Sequence, residues 1–412
     1  KLSERVKPSQ FTYFCFFTIT SELAEHYGLL SARNLGTSVC TSPTSRYTQV
    51  KDNSSCQRSL NRSMDIEKRL DLVKRQPTEE IVLLDELRKI FETVNRPRHY
   101  IGLEISGKLH LGSLILTGYK INDFLNAQVE CNVFLADWHT YINNKLDRDW
   151  EKIKEVSEYY SEAFKFFCPG VNVIMGSSMY DTSNEYWKDF VKFSKHMTLS
   201  RTMRALTIMG RTEKENLDFS QLLYPSMQSV DIRTLDLDIV HAGLDQRKIH
   251  MLVREIFPKL GWKVPVSVHH HLLPGLSEPS KLGLTEDSTQ DSSISSKMSK
   301  SQPSSSITIH DNESAIRDKI NKGYCPVGIS QNNPILEIIR YVIFHEFSEF
   351  EIERDSKYGG NIAYIDPSEL ETDYRGKKIH PMDLKNATSR YVNKIIDPIR
   401  KHFSRWSIID DL

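Results

Sequence analysis

Apolar residues at Ile66, Leu70 and Val73, and again at Ile81, Leu84, Leu87 and Ile90, recur every three or four positions, so the stretch from Asp65 reads as helical. The period changes at His99–Ile105. Tyr100-Ile-Gly-Leu-Glu-Ile has the run of a strand, Ser106-Gly107-Lys108 that of a turn, and Leu114–Leu125 that of a helix again. Glu130–Ala136 is a continuous apolar strand, 149–167 a helix, Val171–Met175 a strand and 185–209 a helix. Strands alternating with long helices predict an α/β fold, a parallel sheet with helices on both faces. Such sheets bind ligands outside the carboxyl ends of their strands, near the switch in strand order. After Ile307 the pattern is mostly helical, at Ala315–Lys322, Pro334–Glu346 and Asp383–Phe403, which puts a domain boundary near 325–333. No internal repeat is visible.

Length and composition narrow the class. A chain of 412 residues exceeds the usual single domain, and 39% hydrophobic with 26% charged residues is a globular balance. Basic and acidic side chains number 54 each, which excludes a protein that coats a polyanion along its whole length and leaves a local basic face open. No apolar run reaches the ~18–20 residues that span a bilayer. Six scattered cysteines without a C-x-x-C pair indicate neither a disulfide framework nor a zinc ribbon, and fit a reducing, intracellular setting. Residues 1–63 differ from the rest, with eleven Ser, eight Lys or Arg and four acidic residues. They read as an N-terminal extension of low order, its origin open between an upstream-translation artefact, a native appendage and an organelle-targeting peptide. Residues 285–306 hold ten Ser in 22 positions, the composition of a mobile loop.

Three constellations carry chemistry. His110-Leu-Gly112-Ser113 stands where a strand passes into a helix. Gly107 and Gly112 allow a ligand close to the backbone, the helix-start amides favour phosphate, and His110 can donate to a phosphoryl oxygen. The bland alternative is a surface or core histidine. Lys297-Met298-Ser299-Lys300-Ser301 lies inside the Ser-rich loop, from which two lysines can swing onto a pyrophosphate leaving group and meet charge that develops only in the transition state. The alternative is a solvated basic linker. Tyr224, Gln228 and Asp231 fall at i, i+4 and i+7, so one helix face presents a phenol, an amide and a carboxylate, either to a small polar ligand or to solvent.

Together the first two resemble the HIGH and KMSKS signatures of class I aminoacyl-tRNA synthetases. Tyr100–Gly112, Leu135-Ala-Asp-Trp-His-Thr-Tyr, Tyr224-Pro-Ser-Met-Gln-Ser-Val-Asp, Gly243-Leu-Asp-Gln-Arg-Lys-Ile-His and His380-Pro-Met-Asp-Leu-Lys-Asn are similar to the archaeal type of the tyrosyl-tRNA synthetase family, over roughly 64–405. The resemblance implies a Rossmann-like catalytic domain at 64–328 and a helical anticodon-binding domain at 329–412. It implies ATP, with Mg2+ accompanying it as substrate, L-tyrosine and tRNA(Tyr) as partners, a homodimer, and a cytoplasmic enzyme with no dedicated metal site. His110, Lys297 and Lys300 would be catalytic, and ATP would also meet Gly107, Gly112, Ser113, Gly243, Met298 and Ser299. Tyr100 and Asp231 would bond the substrate phenol, Tyr224, Gln228 and Gln246 its ammonium group, Glu104 would lie beside substrate or ribose, and His139 would line the side-chain pocket.

For tRNA the resemblance implies Arg204, on a helix shared with Arg201 and followed by Arg211, at the first base pair. In the C-terminal domain the chemistry of Asp383 suits hydrogen bonds from a guanine edge, and that of Tyr358 and His380 the stacking of an unpaired anticodon base. Asp383 by default would be a plain N-cap. Two positions depart from the family: Ser113 stands where His or Asn is usual, and Tyr180 where a Gln contacts the amino acid. His250 reads as structural and His269-His270-His271 as incidental. Tryptophan activation on the same scaffold and a non-catalytic RNA-binding paralogue are the rival readings.

Overall fold

The computed structural model describes residues 64–210, 217–278, 297–299 and 303–412. A six-stranded sheet organises them. Its strands are β1 (Thr78–Ile81), β2 (Arg98–Leu103), β3 (Glu130–Leu135), β4 (Asn172–Met175), β5 (Ile239–Gly243) and β6 (Val266–His270), in the order β1-β6-β5-β2-β3-β4. All neighbours run parallel except β1 against β6. From β2 the chain proceeds outward through β3 and β4, then returns to place β5 on the other side. The switch point lies between β2 and β5, where a crevice opens at the strands' carboxyl ends. β5 and β6 are buried at every position and β3 at all but its first, although Asn132 in β3, His241 in β5 and Ser267, His269 and His270 in β6 are polar.

Helices cover both faces, among them α1 (Ile66–Lys74), α2 (Leu84–Thr93), α3 (Thr117–Asn126), α4 (Asp137–Ile142) and α5 (Trp150–Phe167), then α6 (Gly176–Thr182), α7 (Asn184–Ser194), α8 (Leu199–Ala205), α9 (Tyr224–Thr234) and α10 (Arg247–Ile256). The first turn before α3, Leu111–Leu116, is π-helical.

Two expectations from periodicity change. Ile81 belongs to the edge strand β1 and not to a helix, because Pro77 ends the preceding turn and Thr78, Glu80 and Ile81 pair with β6 around a bulge at Glu79. The helix expected over 185–209 is broken between Ser194 and Leu199, where the Thr198 hydroxyl accepts from the Arg201 amide at 3.2 Å and starts a new helix.

Toward the C-terminus, helices Glu313–Lys322, Pro334–Ile338, Pro367–Arg375 and Pro381–His402 surround a two-stranded hairpin, Phe350–Ile352 with Ile362–Tyr364, which the helical pattern did not announce. The long Pro381–His402 helix packs on Glu313–Lys322, where the Lys385 ammonium donates to the Asn321 carbonyl at 3.0 Å. One hydrophobic core runs from Leu70 to Ile409. Among the described residues no helix is long and apolar enough to cross a membrane.

Candidate active site

A cavity of about 600 Å³ occupies the crevice at the switch point. Tyr100 and Glu104 reach it from β2 and its exit, His139 from α4, and Tyr224, Gln228 and Asp231 from α9. Gln246 lies beside Gln228, and Gly107, His110, Gly112 and Ser113 form the opposite end with Gly243 and the loop residues Lys297, Met298 and Ser299. Lys300, Ser301 and Arg211 lie outside the described residues.

At the end lined by His110 and Lys297 the groups are already engaged. His110 is extended and caps the helix start. Its Nδ1 accepts from the amides of Gly112 (3.2 Å) and Ser113 (3.3 Å), and Ser113 Oγ accepts from the His110 amide at 2.9 Å. Two amides expected to hold phosphate therefore serve the cap, and Ser113 completes a capping box. An accepting Nδ1 puts the imidazole proton on Nε2, the donor form a phosphate contact requires. Leu111 donates to the Ile307 carbonyl (3.0 Å) and Met298 to the Leu273 carbonyl (2.7 Å), so both signature segments are tied to the same wall. Lys297 Nζ contacts Asp245 Oδ2 at 2.6 Å. Burial opposes the Lys297 charge, yet the Asp245 carboxylate outweighs it and raises the lysine above its ordinary value. A side chain at Gly243 would displace its neighbours, since a Cβ would stand 2.6 Å from Asp245 Oδ1 and 2.7 Å from the end of the Leu272 side chain.

The other end holds acceptors in want of donors. Asp231 is 1% exposed. Its Oδ1 accepts from the phenols of Tyr180 (3.0 Å) and Tyr186 (2.9 Å), while Oδ2 is buried without a hydrogen bond. His139 Nε2 stands 3.5 Å from that oxygen. It does not neutralise it, because burial drops His139 to about 3. Burial pushes Asp231 up to about 8, against the pull of the two phenols, so at neutral pH the carboxyl holds a proton on Oδ2, and this oxygen becomes an acceptor when a ligand's donor displaces that proton. One turn earlier on α9, Gln228 Nε2 donates to Gln246 Oε1 at 3.2 Å, which leaves Gln228 Oε1 as a second buried acceptor with no partner. Gln246 is held in turn by the Ile208 carbonyl at 3.0 Å, and Glu104 takes Asn143 Nδ2 at 2.6 Å and the Tyr224 phenol at 3.5 Å.

Tyr180 acts on the cavity through Asp231 and is not itself a wall residue. Tyr186 and Asp245 went unassigned in the sequence. Tyr186 lies in no motif, and its partner is distant along the chain. Asp245 sat in the Gly243–His250 stretch, read there for its glutamine.

The expected tRNA contacts lie elsewhere. Arg204 is exposed and lines a separate groove of about 650 Å³ with Arg201, Arg247 and Lys248. Tyr358 is 65% exposed. His380, not Asp383, is the N-cap of Pro381–His402, accepting from Met382 at 3.2 Å, and Asp383 stands in the first turn. His250 Nδ1 meets His269 Nε2 at 2.9 Å, and His269 Nδ1 meets Glu80 at 2.7 Å, so these histidines are structural members of a buried network. Among the described residues no group of three or more His, Cys, Asp or Glu side chains is placed to hold a metal ion.

The family described as tRNA synthetases class I (W and Y) matches residues 93–397. The tyrosine–tRNA ligase of Pyrococcus furiosus is 42% identical over 367 residues, covering 83% of this chain and 96% of its own. That of Saccharolobus solfataricus is 43% identical over 348 residues, covering 83% and 94%. The crystal structure of tyrosyl-tRNA synthetase from Pyrococcus horikoshii, complexed with L-tyrosine, superposes with a TM-score of 0.78 at 41% identity, covering 83% of this chain and 97% of that one.

Proposed function

The chain belongs to the class I tRNA synthetases of the tryptophan and tyrosine kind, and we propose that it joins L-tyrosine to tRNA(Tyr) in two steps at this cavity. The observation that carries the choice of amino acid is the pair of unpartnered buried acceptors, Asp231 Oδ2 and Gln228 Oε1, on one face of α9. Tyrosine brings a donor at each end, a phenol for Asp231 and an ammonium for Gln228. Tyr100, buried on the same wall, supplies a hydroxyl to the phenol oxygen, an acceptor that an indole N–H lacks. Tyr224, Gln246 and Glu104 complete the ammonium end, and His139 fills the side-chain end.

In the first step the tyrosine carboxylate attacks the α-phosphorus of ATP. The bond to the bridging oxygen breaks, and pyrophosphate leaves with the electron pair. No side chain serves as nucleophile, so the site works by positioning and by meeting phosphate charge. Gly107, Gly112 and Gly243 admit the nucleotide, the Nε2 proton of His110 faces phosphate oxygen, and Lys297 exchanges Asp245 for the departing pyrophosphate. Lys300 joins it in this reading, with Met298 and Ser299 carrying the loop. Magnesium enters with ATP as the counter-ion of its phosphates. In the second step a hydroxyl of the tRNA's 3′-terminal ribose attacks the adenylate carbonyl and AMP leaves.

The reading extends to the rest of the molecule. Residues 64–328 form its catalytic domain and 329–412 its anticodon-binding domain. Arg204 with Arg201, Arg247 and Lys248 takes the acceptor end, and Tyr358, His380 and Asp383 take an anticodon base. Asp383→Ala should weaken charging about tenfold and leave adenylate formation unchanged. Trp187, Val191 and Leu199, 49%, 60% and 67% exposed on α7 and α8, supply an apolar surface for a homodimer, which light scattering on the purified chain tests. The reading places the enzyme in the cytoplasm. Pyrophosphate exchange with each of the twenty amino acids tests the whole reading. Tyrosine alone should support exchange, and exchange with none would make the chain an RNA-binding relative without catalysis.

A further inference from the structure

Three imidazoles that the reaction above leaves unused form a line through the sheet. His99 on β2, His241 on β5 and His270 on β6 sit on three adjacent strands and are 0%, 0% and 5% exposed. His99 Nε2 is 3.1 Å from His241 Nδ1, and His241 Nε2 is 2.7 Å from His270 Nδ1. His270 then lines the cavity, with its Nε2 3.6 Å from where a Gly243 Cβ would stand, beside the Asp245 carboxylate that crowds the same point. The far end, His99 Nδ1, is buried and has no partner.

Proton counting fixes the tautomers. Burial, with Lys120 behind it, drops His99 to about 3, burial drops His270 to about 4, and burial holds His241 well below its ordinary value, so each ring is neutral with one N–H. Three such rings keep both hydrogen bonds in only two ways, with all protons pointing toward the cavity or all away from it. Pointing away leaves the His99 Nδ1–H buried without an acceptor, next to the positive Lys120. Pointing toward the cavity leaves a bare nitrogen there instead, the cheaper orphan beside a cation. The line therefore presents His270 Nε2–H to the cavity as a donor. Asp245, an acceptor, abuts the same glycine. A donor and an acceptor side by side match a vicinal diol, whose hydroxyls both give and take hydrogen bonds.

We propose that His270 binds the ribose of the nucleotide by donating its Nε2 proton to a ribose hydroxyl, and that His241 and His99 are positioning residues that hold it in this tautomer. This rests on the reading of the cavity as an ATP site. The test is pyrophosphate exchange by the full chain, with ATP and with its 2′-deoxy and 3′-deoxy forms. His270→Ala should raise the KM for ATP about tenfold, leave the KM for tyrosine unchanged, and erase most of the discrimination against one deoxy analogue. His270→Gln, which keeps a side-chain donor and a similar volume, should recover part of the loss, and it serves if the alanine variant does not fold. For the relay, ¹⁵N spectra of the imidazoles should find His270 protonated at Nε2 in the native chain and as a tautomer mixture in His99→Leu, with a smaller rise in ATP KM. Unchanged ATP KM and analogue preference in both His270 variants, with exchange intact, would overturn the proposal. So would a native His270 bare at Nε2. Absence of exchange in the native chain would instead sink the ATP reading itself.

Discussion

The two ends of the cavity are prepared in opposite ways. At the end proposed for tyrosine, α9 holds Asp231 and Gln228 in the interior with one oxygen each left unpartnered. At the end proposed for the nucleotide, Lys297 is paired with Asp245, and His110 is spent on its own helix start. The first arrangement stores an unmet demand for hydrogen-bond donors, and only a ligand of the right shape and polarity relieves it, which is how a buried polar pocket selects. The second stores charge in an internal pair that phosphate must displace. Its value appears only when leaving-group charge develops. In the proposed reading, selection and acceleration thus reside in different halves of one cavity.

Removing a group from each half should break the comparison in different observables. The largest effect is expected from Lys297→Ala, a loss of about 10²–10³ in exchange rate with tyrosine binding unchanged. A large loss of tyrosine affinity at a normal rate would put Lys297 in the wrong half. Next comes Asp231→Ala, with a loss of roughly 10² in kcat/KM for tyrosine and little change for phenylalanine, so the ratio of the two collapses. Equal losses for both amino acids would mean that Asp231 does not meet the phenol.

A smaller effect sharpens the picture of how the tyrosine end is held. Tyr186→Phe removes one of the two donors on Asp231 Oδ1 and leaves a carboxylate oxygen half satisfied in the interior. Tyrosine kcat/KM should fall about fivefold, with the larger share in KM. Unchanged kinetics would show that the Tyr180 phenol alone fixes the carboxylate.

The face of α9 was legible because helical periodicity is local. Tyr224, Gln228 and Asp231 must share a side wherever the helix packs, and the structure places all three on the cavity. Of the parallel strands, β2, β3 and β4 were legible in the sequence, whereas β5 and β6, broken by His241, Ser267 and the histidine run, were not read as strands. β1 was not, since Thr-Glu-Glu-Ile carries no apolar alternation and becomes a strand only through pairing with β6. The partners of the charged groups were hidden for a related reason. Lys297 and Asp245 are 52 residues apart, and Tyr186 and Asp231 are 45 apart, so nothing in the local sequence couples them. His269-His270-His271 looked incidental as a run, because strand geometry sends its neighbours to different places. His269 goes to Glu80, His270 to His241, and His271 to the helices beyond.

His271 supplies the smallest predicted effect, on stability. It follows β6, lines the cavity and stacks on Tyr341 with ring centroids 4.1 Å apart. Glu79 of β1 pairs with its Nδ1, and Glu337 of helix Pro334–Ile338 lies 2.6 Å from its Nε2, an ionic contact off the line of a hydrogen bond. His270, the remaining titratable neighbour, is neutral. Burial opposes a charge on His271, but the two carboxylates outweigh it and raise it from 6.5 to about 9. A group that holds its proton more tightly when folded stabilises fully below its unfolded value, here about 6.5. That contribution disappears as pH climbs through about 9. Since Glu79 is a third exposed, solvent screening reduces the gain to the order of 1–2 kcal/mol, a shift of a few degrees in Tm. Melting the native chain and His271→Gln between pH 6 and pH 10 isolates this group. The native chain should lose stability over that window more steeply than the variant, and parallel slopes would mean that His271 carries no extra charge between the sheet and the C-terminal helices.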